Sequence, residues 1–161
     1  MSTVFRVGMS ELKTATPKDV LMALGLGSCV GVCMYDPLIK LGGMAHIMLP
    51  DSSQARELSN PGKFADTAIP ALLELMEKNG ALRRRLIVKI VGGAQMFSIS
   101  GNDPRLNIGS RNVTAVEEAL AKYGLKIAAR SVGGNLGKTI TLDTETGIVN
   151  VKTFNCPVFQ L

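Results

Sequence analysis

A thiol and an imidazole stand in two neighbouring apolar segments, where together they could act on an electrophilic carbon. Cys29 lies in segment 25–34, and His46, the single histidine of the chain, lies in segment 41–50. A neighbouring imidazole is the usual group that converts a cysteine into its nucleophilic thiolate near neutral pH. The pair therefore indicates nucleophilic catalysis by cysteine.

The two segments read as strands that pair as antiparallel neighbours. Both are apolar with small or β-branched residues, and a short connection containing Asp-Pro joins them. A six-residue connection pairs Met34 with Leu41 and therefore sets Cys29 opposite His46 on one face of the hairpin. A five-residue connection would place the two side chains on opposite faces, so the prediction depends on one residue of register.

The thiol face of the first strand carries glycine on both sides of the cysteine. Gly27 and Gly31 share the face of Cys29, so no side chain of this strand stands beside the thiol. The alternative is that Cys29 is a small core residue, because free cysteine is among the most buried residue types. A lone histidine in an apolar strand is likewise more often a core residue than a catalyst. The residues alone leave both interpretations open.

Length, composition and charge predict one soluble globular domain spanning residues 1–161. The chain is 46% hydrophobic and 4% aromatic, with 17 glycines, which is typical of a compact aliphatic core with tight turns. A net charge of +5 favours acidic partners. The single basic run, 83–85, lacks interleaved aromatics and reads as a solvated turn, so nucleic acid is not a predicted partner. Neither a leader nor a long apolar run is present, which predicts a cytoplasmic protein without membrane insertion.

The cysteines and the histidine predict neither a disulfide framework nor a metal site. Cys29 and Cys33 share one face of a strand but lie about 13 Å apart at 3.3 Å per residue. A zinc site would need Cys156 from the far end of the chain as well as His46. We therefore expect no metal site.

Hydrophobic periodicity and breaker residues predict two helices among several strands. The first helix has Pro70 inside it, where we expect a kink or a fresh start, and Asn112 can cap the second. Segment 51–62 reads as a lid or as a mobile surface loop, and segment 9–19 as a polar connection. Further strands are predicted at 4–7, 86–91, 125–132, 139–143 and 148–153, and the helices at 63–79 and 113–123.

Six motifs, in order and across nearly the whole chain, resemble those of the CheD family of bacterial chemoreceptor glutamine deamidases. They are Gly25-Leu-Gly-Ser-Cys29-Val, Gly43-Met-Ala-His46-Ile-Met-Leu-Pro50, Lys63-Phe-Ala-Asp66-Thr-Ala, Gly92-Gly-Ala-Gln-Met-Phe97, Asn107-Ile-Gly-Ser-Arg-Asn112 and Gly133-Gly-Asn135. Six ordered motifs are far more specific than one cysteine and one histidine. The resemblance favours the catalytic interpretation of the thiol.

The resemblance implies an α+β fold, a layered α/β sandwich of mixed, largely antiparallel sheets with two main helices packed outside. It further implies a relation to the catalytic domain of cytotoxic necrotizing factor. Cys29 is then the nucleophile and His46 its base, with Gly27 and Ser28 contacting the substrate. The family has a threonine six residues before the nucleophile, where this chain has Ala23. A dyad, or a backbone carbonyl that orients the imidazole, would take the place of a triad.

The implied reaction is hydrolysis of glutamine side-chain amides in receptor helices, through a thioester and without a metal or cofactor. Backbone N–H groups around Ser28 and Cys29 are the expected oxyanion donors. The implied partners are the cytoplasmic helices of methyl-accepting chemotaxis receptors and the phosphatase CheC. Two alternatives remain at this point: an adaptor that regulates CheC with weak or no catalysis, and a cysteine peptidase or acyl transferase with the same dyad.

Overall fold

The computed structural model describes residues 2–53, 55–56, 59–96 and 107–161. Within these ranges the chain forms ten strands, two α-helices and two short 3-10 turns, at Pro61–Lys63 and Arg83–Arg85. The helices are α1 (Ala65–Lys78) and α2 (Ile108–Lys122). The strands are β1 (Val4–Arg6), β2 (Leu12–Ala15), β3 (Val20–Leu26), β4 (Val30–Asp36), β5 (Leu41–Ile47), β6 (Ile87–Gly92), β7 (Ile127–Val132), β8 (Lys138–Asp143), β9 (Val149–Thr153) and β10 (Phe159–Gln160).

The strands form two five-stranded sheets. The outer sheet has the order β1-β3-β8-β9-β10, and the central sheet has the order β2-β5-β4-β6-β7. Adjacent strands are antiparallel except for β1 with β3 and β6 with β7. The prediction of mixed, largely antiparallel sheets is confirmed.

The central sheet lies between the helices and the outer sheet. Side chains alternate across β4, so Val30 and Val32 pack with both helices while Cys33 points to the other face. That other face and the outer sheet share a second buried group, the inter-sheet cluster: Val7, Ala15, Leu21, Ala23, Leu26, Cys33, Met44, Val91, Ile140, Leu142, Val149 and Val151. Each fully buried aliphatic side chain contributes about 1.5–3 kcal/mol, so the two clusters hold the three layers together. The α+β class with both helices outside the sheets is confirmed.

Both predicted helices are present, with different starting points. No fresh helix begins at Pro70, because α1 continues through it and buries one face of the helix against the central sheet. The predicted cap of the second helix at Asn112 is wrong. α2 begins at Ile108, and the Asn107 side chain accepts a hydrogen bond from the Ser110 N–H at 3.0 Å. Asn112 lies a full turn inside the helix and is buried.

The apolar run around the thiol folds differently from the predicted single strand over 25–34. β3 ends at Leu26 in the outer sheet, and β4 begins at Val30 in the central sheet. Residues 27–29 form the crossing between the two sheets. Two short edge strands, β2 and β10, also fall outside the predicted elements. β2 lies within the predicted polar connection 9–19, because its sequence alternates too weakly to indicate a strand.

The predicted solvated turn at Arg83–Arg85 contains one anchored arginine. The Arg85 guanidinium donates hydrogen bonds of 2.7–2.9 Å to the Asp36 carboxylate, which is fully buried. The same carboxylate accepts the N–H groups of Leu38 and Leu82, each at 3.1 Å. This ion pair therefore fixes the end of β4 to the connection between α1 and β6.

Asp36→Asn is expected to lower the free energy of unfolding by about 3 kcal/mol, because it breaks a buried pair. Burial alone would raise the pKa of Asp36, but the Arg85 and backbone hydrogen bonds hold that pKa below its ordinary value. The contribution should therefore persist at mildly acidic pH and disappear as pH falls through the lowered pKa. Urea unfolding at several pH values measures this. Glu145→Gln, which breaks the exposed pair with Lys40, is the control and should barely move the midpoint. Equal shifts in the two variants would contradict the prediction.

Candidate active site

Cys29 lies where the chain crosses from the outer to the central sheet, directly before β4. Its side chain packs against the inter-sheet cluster and remains partly exposed to solvent. A residue at this bend lies at the edge of the interface between the sheets. The thiol is therefore neither a fully buried core group nor a free surface group.

The register of the β4–β5 hairpin differs from the predicted one by two residues. β4 continues to Asp36 and β5 begins at Leu41, so four residues connect the strands. Gly31 stands opposite His46, and the predicted direct pairing of Cys29 with His46 is wrong. A shift of two residues preserves the face of the sheet. Cys29 and His46 are therefore diagonal neighbours on the side that faces the outer sheet.

The two glycines that flank the thiol make room for side chains from elsewhere in the fold. A Cβ on Gly31 would lie 2.8 Å from Ile140 and 3.0 Å from Leu26, inside the inter-sheet cluster. A Cβ on Gly27 would lie 3.1 Å from Met96, which is 46% exposed. The space left by Gly31 on the inner side of the thiol is therefore filled by side chains of the outer sheet. On the outer side, the nearest group is one flexible methionine.

The backbone of the crossing is held by three consecutive carbonyl oxygens. They accept hydrogen bonds from Ala94 N–H to Gly27 at 2.8 Å, from Asn112 Nδ2 to Ser28 at 2.9 Å, and from Gly93 N–H to Cys29 at 2.9 Å. Across the described part of the chain, the N–H groups of Ser28 and Cys29 donate to no other residue. Among the described residues these two donors therefore have fixed directions and no acceptor outside Ser28 and Cys29 themselves.

His46 is buried, with 3% of its surface exposed, and its Nδ1 lies 3.1 Å from the Val7 carbonyl oxygen. A carbonyl can only accept a hydrogen bond, so Nδ1 carries the proton in the neutral ring and Nε2 presents its lone pair. A cavity of about 310 Å³ leads to this imidazole. It is lined by Arg6, Val7, Gly8, Met9, Leu24, Gly25 and His46.

The segment that carries the Val7 carbonyl is tied to the backbone of His46 itself. The Ser10 N–H donates to the His46 carbonyl at 2.9 Å, and the His46 N–H donates to the Glu11 carbonyl at 3.1 Å. The Glu11 carboxylate accepts the Gly8 N–H at 2.7 Å. The imidazole and the carbonyl that meets it are therefore held as one unit. The sequence gives no local signal of this unit, because residues 9–11 read as part of a polar connection.

Ala23, at the position of the family's threonine, offers no hydrogen-bonding side chain. It is fully buried in the inter-sheet cluster, opposite Ile140 of β8. The Val7 N–H donates to the Met22 carbonyl at 2.7 Å, so Val7 lies beside this part of β3. Without the threonine we expected either a simple dyad or a backbone carbonyl that orients the imidazole. The structure contains the second arrangement, with the Val7 carbonyl at the imidazole.

Burial keeps both candidate groups neutral near pH 7. It raises the pKa of the Cys29 thiol, opposed by the backbone N–H of Cys29. Burial also lowers the pKa of His46, opposed by the hydrogen bond to Val7 and the negative charge of Glu11. No hydrogen bond joins the thiol to the imidazole among the described residues. The pair is therefore suited to general-base catalysis, in which the proton moves as the sulfur attacks.

The other two cysteines are poor nucleophile candidates. Cys33 is 1% exposed, and burial raises its pKa to about 12, opposed by Lys89. Cys156 is exposed near the C-terminal end of the described chain. Cys29 alone of the three combines partial exposure with a histidine on the same face.

The described ranges contain neither a metal-binding cluster nor a membrane helix. No group of three or more histidine, cysteine, aspartate or glutamate side chains there could hold a metal ion. No helix in those ranges is both long and apolar enough to cross a membrane.

The predicted lid, 51–62, lines a different cavity from the one at His46. Gln54, Glu57 and Leu58 of this segment lie outside the described residues. The cavity has a volume of about 480 Å³ and includes neither Cys29 nor His46. Its lining is formed by Leu49, Pro50, Asp51, Ser53, Ala55, Arg56, Lys63, Phe64, Ile108 and Arg111.

Comparison with known proteins gives one consistent result. The family model described as CheD chemotactic sensory transduction matches residues 48–153. The curated protein named probable chemoreceptor glutamine deamidase CheD from Syntrophomonas wolfei is 52% identical, covering 95% of this chain and 95% of the relative. Proteins of the same name from Clostridium novyi and Caldanaerobacter subterraneus are both 49% identical, covering 92% and 94% of this chain and 91% and 94% of their own. Cys29 and His46 precede the residues matched by the family model, but both fall within the alignment to the first relative.

Proposed function

Because the chain belongs to the CheD family, we propose that it hydrolyses glutamine side-chain amides of chemoreceptors to glutamates. The observation that carries the proposal for the site is the placement, as diagonal neighbours on one face, of a partly exposed thiol and an imidazole whose tautomer is set by a backbone carbonyl. Cys29 is the nucleophile and His46 the general base. Gly27 and Ser28 contact the substrate.

The first half of the reaction forms a thioester. The Cys29 sulfur attacks the glutamine amide carbon while His46 Nε2 accepts the thiol proton. The amide oxygen becomes an oxyanion, which the open N–H groups of Ser28 and Cys29 can bind. The C–N bond then breaks, His46 returns its proton to the departing nitrogen, and ammonia leaves.

The second half releases glutamate. His46 Nε2 takes a proton from water, and the resulting hydroxyl adds to the thioester carbon. The C–S bond breaks, and the thiolate regains its proton from the imidazolium. Each cycle therefore consumes one water and adds one negative charge to the receptor at neutral pH.

The Val7 carbonyl orients the base through both halves. Nδ1 lies 3.1 Å from this oxygen, and the hydrogen bond between them keeps Nε2 unprotonated in the neutral ring, as a base for the thiol requires. When the ring becomes charged, the same carbonyl and the nearby Glu11 carboxylate stabilise the imidazolium. The Val7 main-chain oxygen thus orients the imidazole in place of a threonine hydroxyl at position 23.

Several finer assignments follow from the resemblance. We propose that the substrate segments are the cytoplasmic helices of the receptors, that the protein works in the cytoplasm, and that CheC is a second protein partner. The net charge of +5 supports contact with acidic surfaces. The shared inter-sheet cluster supports one deamidase domain over 1–161, and the three-layer order supports a relation to the catalytic domain of cytotoxic necrotizing factor.

Incubation with a purified receptor cytoplasmic fragment tests the proposal. We expect ammonia release together with conversion of defined glutamines to glutamates, seen as the corresponding mass gain in peptides of the fragment. Peptide cleavage would instead indicate a cysteine peptidase. Stable binding without ammonia release, for the receptor or for CheC, would indicate an adaptor and contradict the proposed reaction.

A further inference from the structure

Asn112 is a buried polar side chain that reaches both strands of the candidate site. It lies inside α2, and its Nδ2 donates to the Ser28 carbonyl at 2.9 Å and to the Met48 carbonyl at 2.9 Å. Both hydrogens of the amide are thereby used. The acceptors lie at the entrance to β4 and at the exit from β5.

The bond to Ser28 fixes the direction of a catalytic donor. The Ser28 carbonyl and the Cys29 N–H belong to the same planar trans peptide, so they point in opposite directions. Asn112 binds this carbonyl from the helix side of the central sheet. The Cys29 N–H is therefore aimed away from α2, toward the side that carries the thiol and His46. A hydrogen bond to the carbonyl also polarises the peptide and strengthens its N–H as a donor.

The bond to Met48 ties the histidine strand to the same point. The last rung of the β4–β5 ladder is Val30 with Ile47, so Cys29 and Met48 stand where the next rung would fall. The Asn112 amide bridges that position from one strand to the other. The Asn112 amide thus also contacts the end of the strand that carries His46, whose position is set in addition by the β4–β5 ladder.

The side-chain oxygen of Asn112 is the unfavourable part of this arrangement. Among the described residues, Asn112 Oδ1 is buried and finds no hydrogen-bond partner. Turning the amide over would set this oxygen against two carbonyl oxygens, so the observed orientation is the favourable one. An apolar side chain would fill the same space without an orphan acceptor. Asparagine is therefore favoured at position 112 by the two hydrogen bonds that it donates, and not by its packing.

We propose that Asn112 is a positioning residue that holds the Ser28–Cys29 peptide so that the Cys29 N–H stabilises the oxyanion. This role rests on the proposed nucleophile, but not on the receptor as substrate. Its loss should slow reactions that form an oxyanion at Cys29. Reactions of the same sulfur that form no oxyanion should be spared.

Two probes separate these cases in a Cys156→Ser background, where Cys29 is the partly exposed thiol and Cys33 is buried. Acylation by p-nitrophenyl acetate passes through an oxyanion, and alkylation by iodoacetamide does not. For Asn112→Ala we expect acylation, and kcat for the receptor fragment, to fall about 10- to 100-fold. KM and the alkylation rate should stay close to those of the parent protein.

The matched control is Val116→Ala, which truncates a buried residue one turn further along α2 without touching either carbonyl. It should leave both rates unchanged while the protein is folded. If Asn112→Ala does not fold, Asn112→Asp preserves the side-chain shape and can donate at most one of the two bonds, so the same selective loss is expected. Equal loss of acylation and alkylation, or no loss of either, would overturn the proposal. Wild-type protein that is acylated by the ester but releases no ammonia from the receptor would overturn the proposed function alone.

Discussion

Cys29→Ala is expected to lower receptor deamidation by on the order of 10⁴-fold or more, because it removes the sulfur on which we propose that the thioester forms. The fold should survive, since the change removes one sulfur atom from a partly exposed side chain. The expected loss of unfolding free energy is about 1 kcal/mol or less. Ammonia release from a receptor fragment measures the activity, and thermal melting measures the fold.

Cys33→Ala is the matched control for this variant. Cys33 is buried in the inter-sheet cluster on the same face of the sheet. Its truncation should cost more stability than that of Cys29 and should leave kcat nearly unchanged while the protein is folded. Retained deamidation in Cys29→Ala would exclude this thiol as the nucleophile. Collapse of the fold would instead show that Cys29 is a core residue.

His46→Asn is expected to lower kcat by about 10²- to 10⁴-fold at neutral pH, the usual contribution of a positioned general base. Asparagine can keep a side-chain N–H on the Val7 carbonyl while it removes the nitrogen that accepts the proton. The substitution therefore separates catalysis from support of the 7–11 segment. Steady-state kinetics on the receptor fragment measure the loss, and circular dichroism monitors the fold.

The pH dependence provides a second measurement on the same variant. The base must be neutral, so activity is lost as pH falls through the pKa of His46. Burial lowers that pKa, which places the acid limb of the wild-type profile below the ordinary 6.5. His46→Asn should lack this limb, and its deficit should shrink toward alkaline pH, where the thiol, with a pKa raised above 9.0, begins to ionise unaided. An acid limb shared by both proteins would assign the titration to another group.

Local sequence patterns predicted the hairpin, the two helices and the candidate nucleophile and base. They did not predict the register, because the turn that sets it depends on a distant partner. Asp36 stays in β4 as a buried acceptor for Arg85 and for the N–H groups of Leu38 and Leu82. Only the folded chain brings these groups together, so a six-residue connection looked as suitable as the observed one.

The crossing between the two sheets was not predicted from the sequence, for a related reason. A continuous apolar run at 25–34 reads as one strand, because nothing in its composition shows that its two halves enter different sheets. The contacts that hold the crossing come from residues 93, 94 and 112, far along the chain. Asn112 itself looked like a helix cap, since asparagine is favoured at caps, and its two long-range hydrogen bonds leave no local signal.

The hydrogen bond between the Val7 carbonyl and the His46 imidazole does not depend on the side chain at position 7. Every amino acid supplies the same main-chain oxygen, so no side-chain replacement at position 7 can delete this component of the site. The path of the main chain, and not the type of residue 7, places this oxygen. A list of catalytic side chains would therefore omit it. Only a substitution that redirects this peptide can remove the hydrogen bond to His46. One example is a bulkier residue at Gly8, where a Cβ would meet the Glu11 carboxylate.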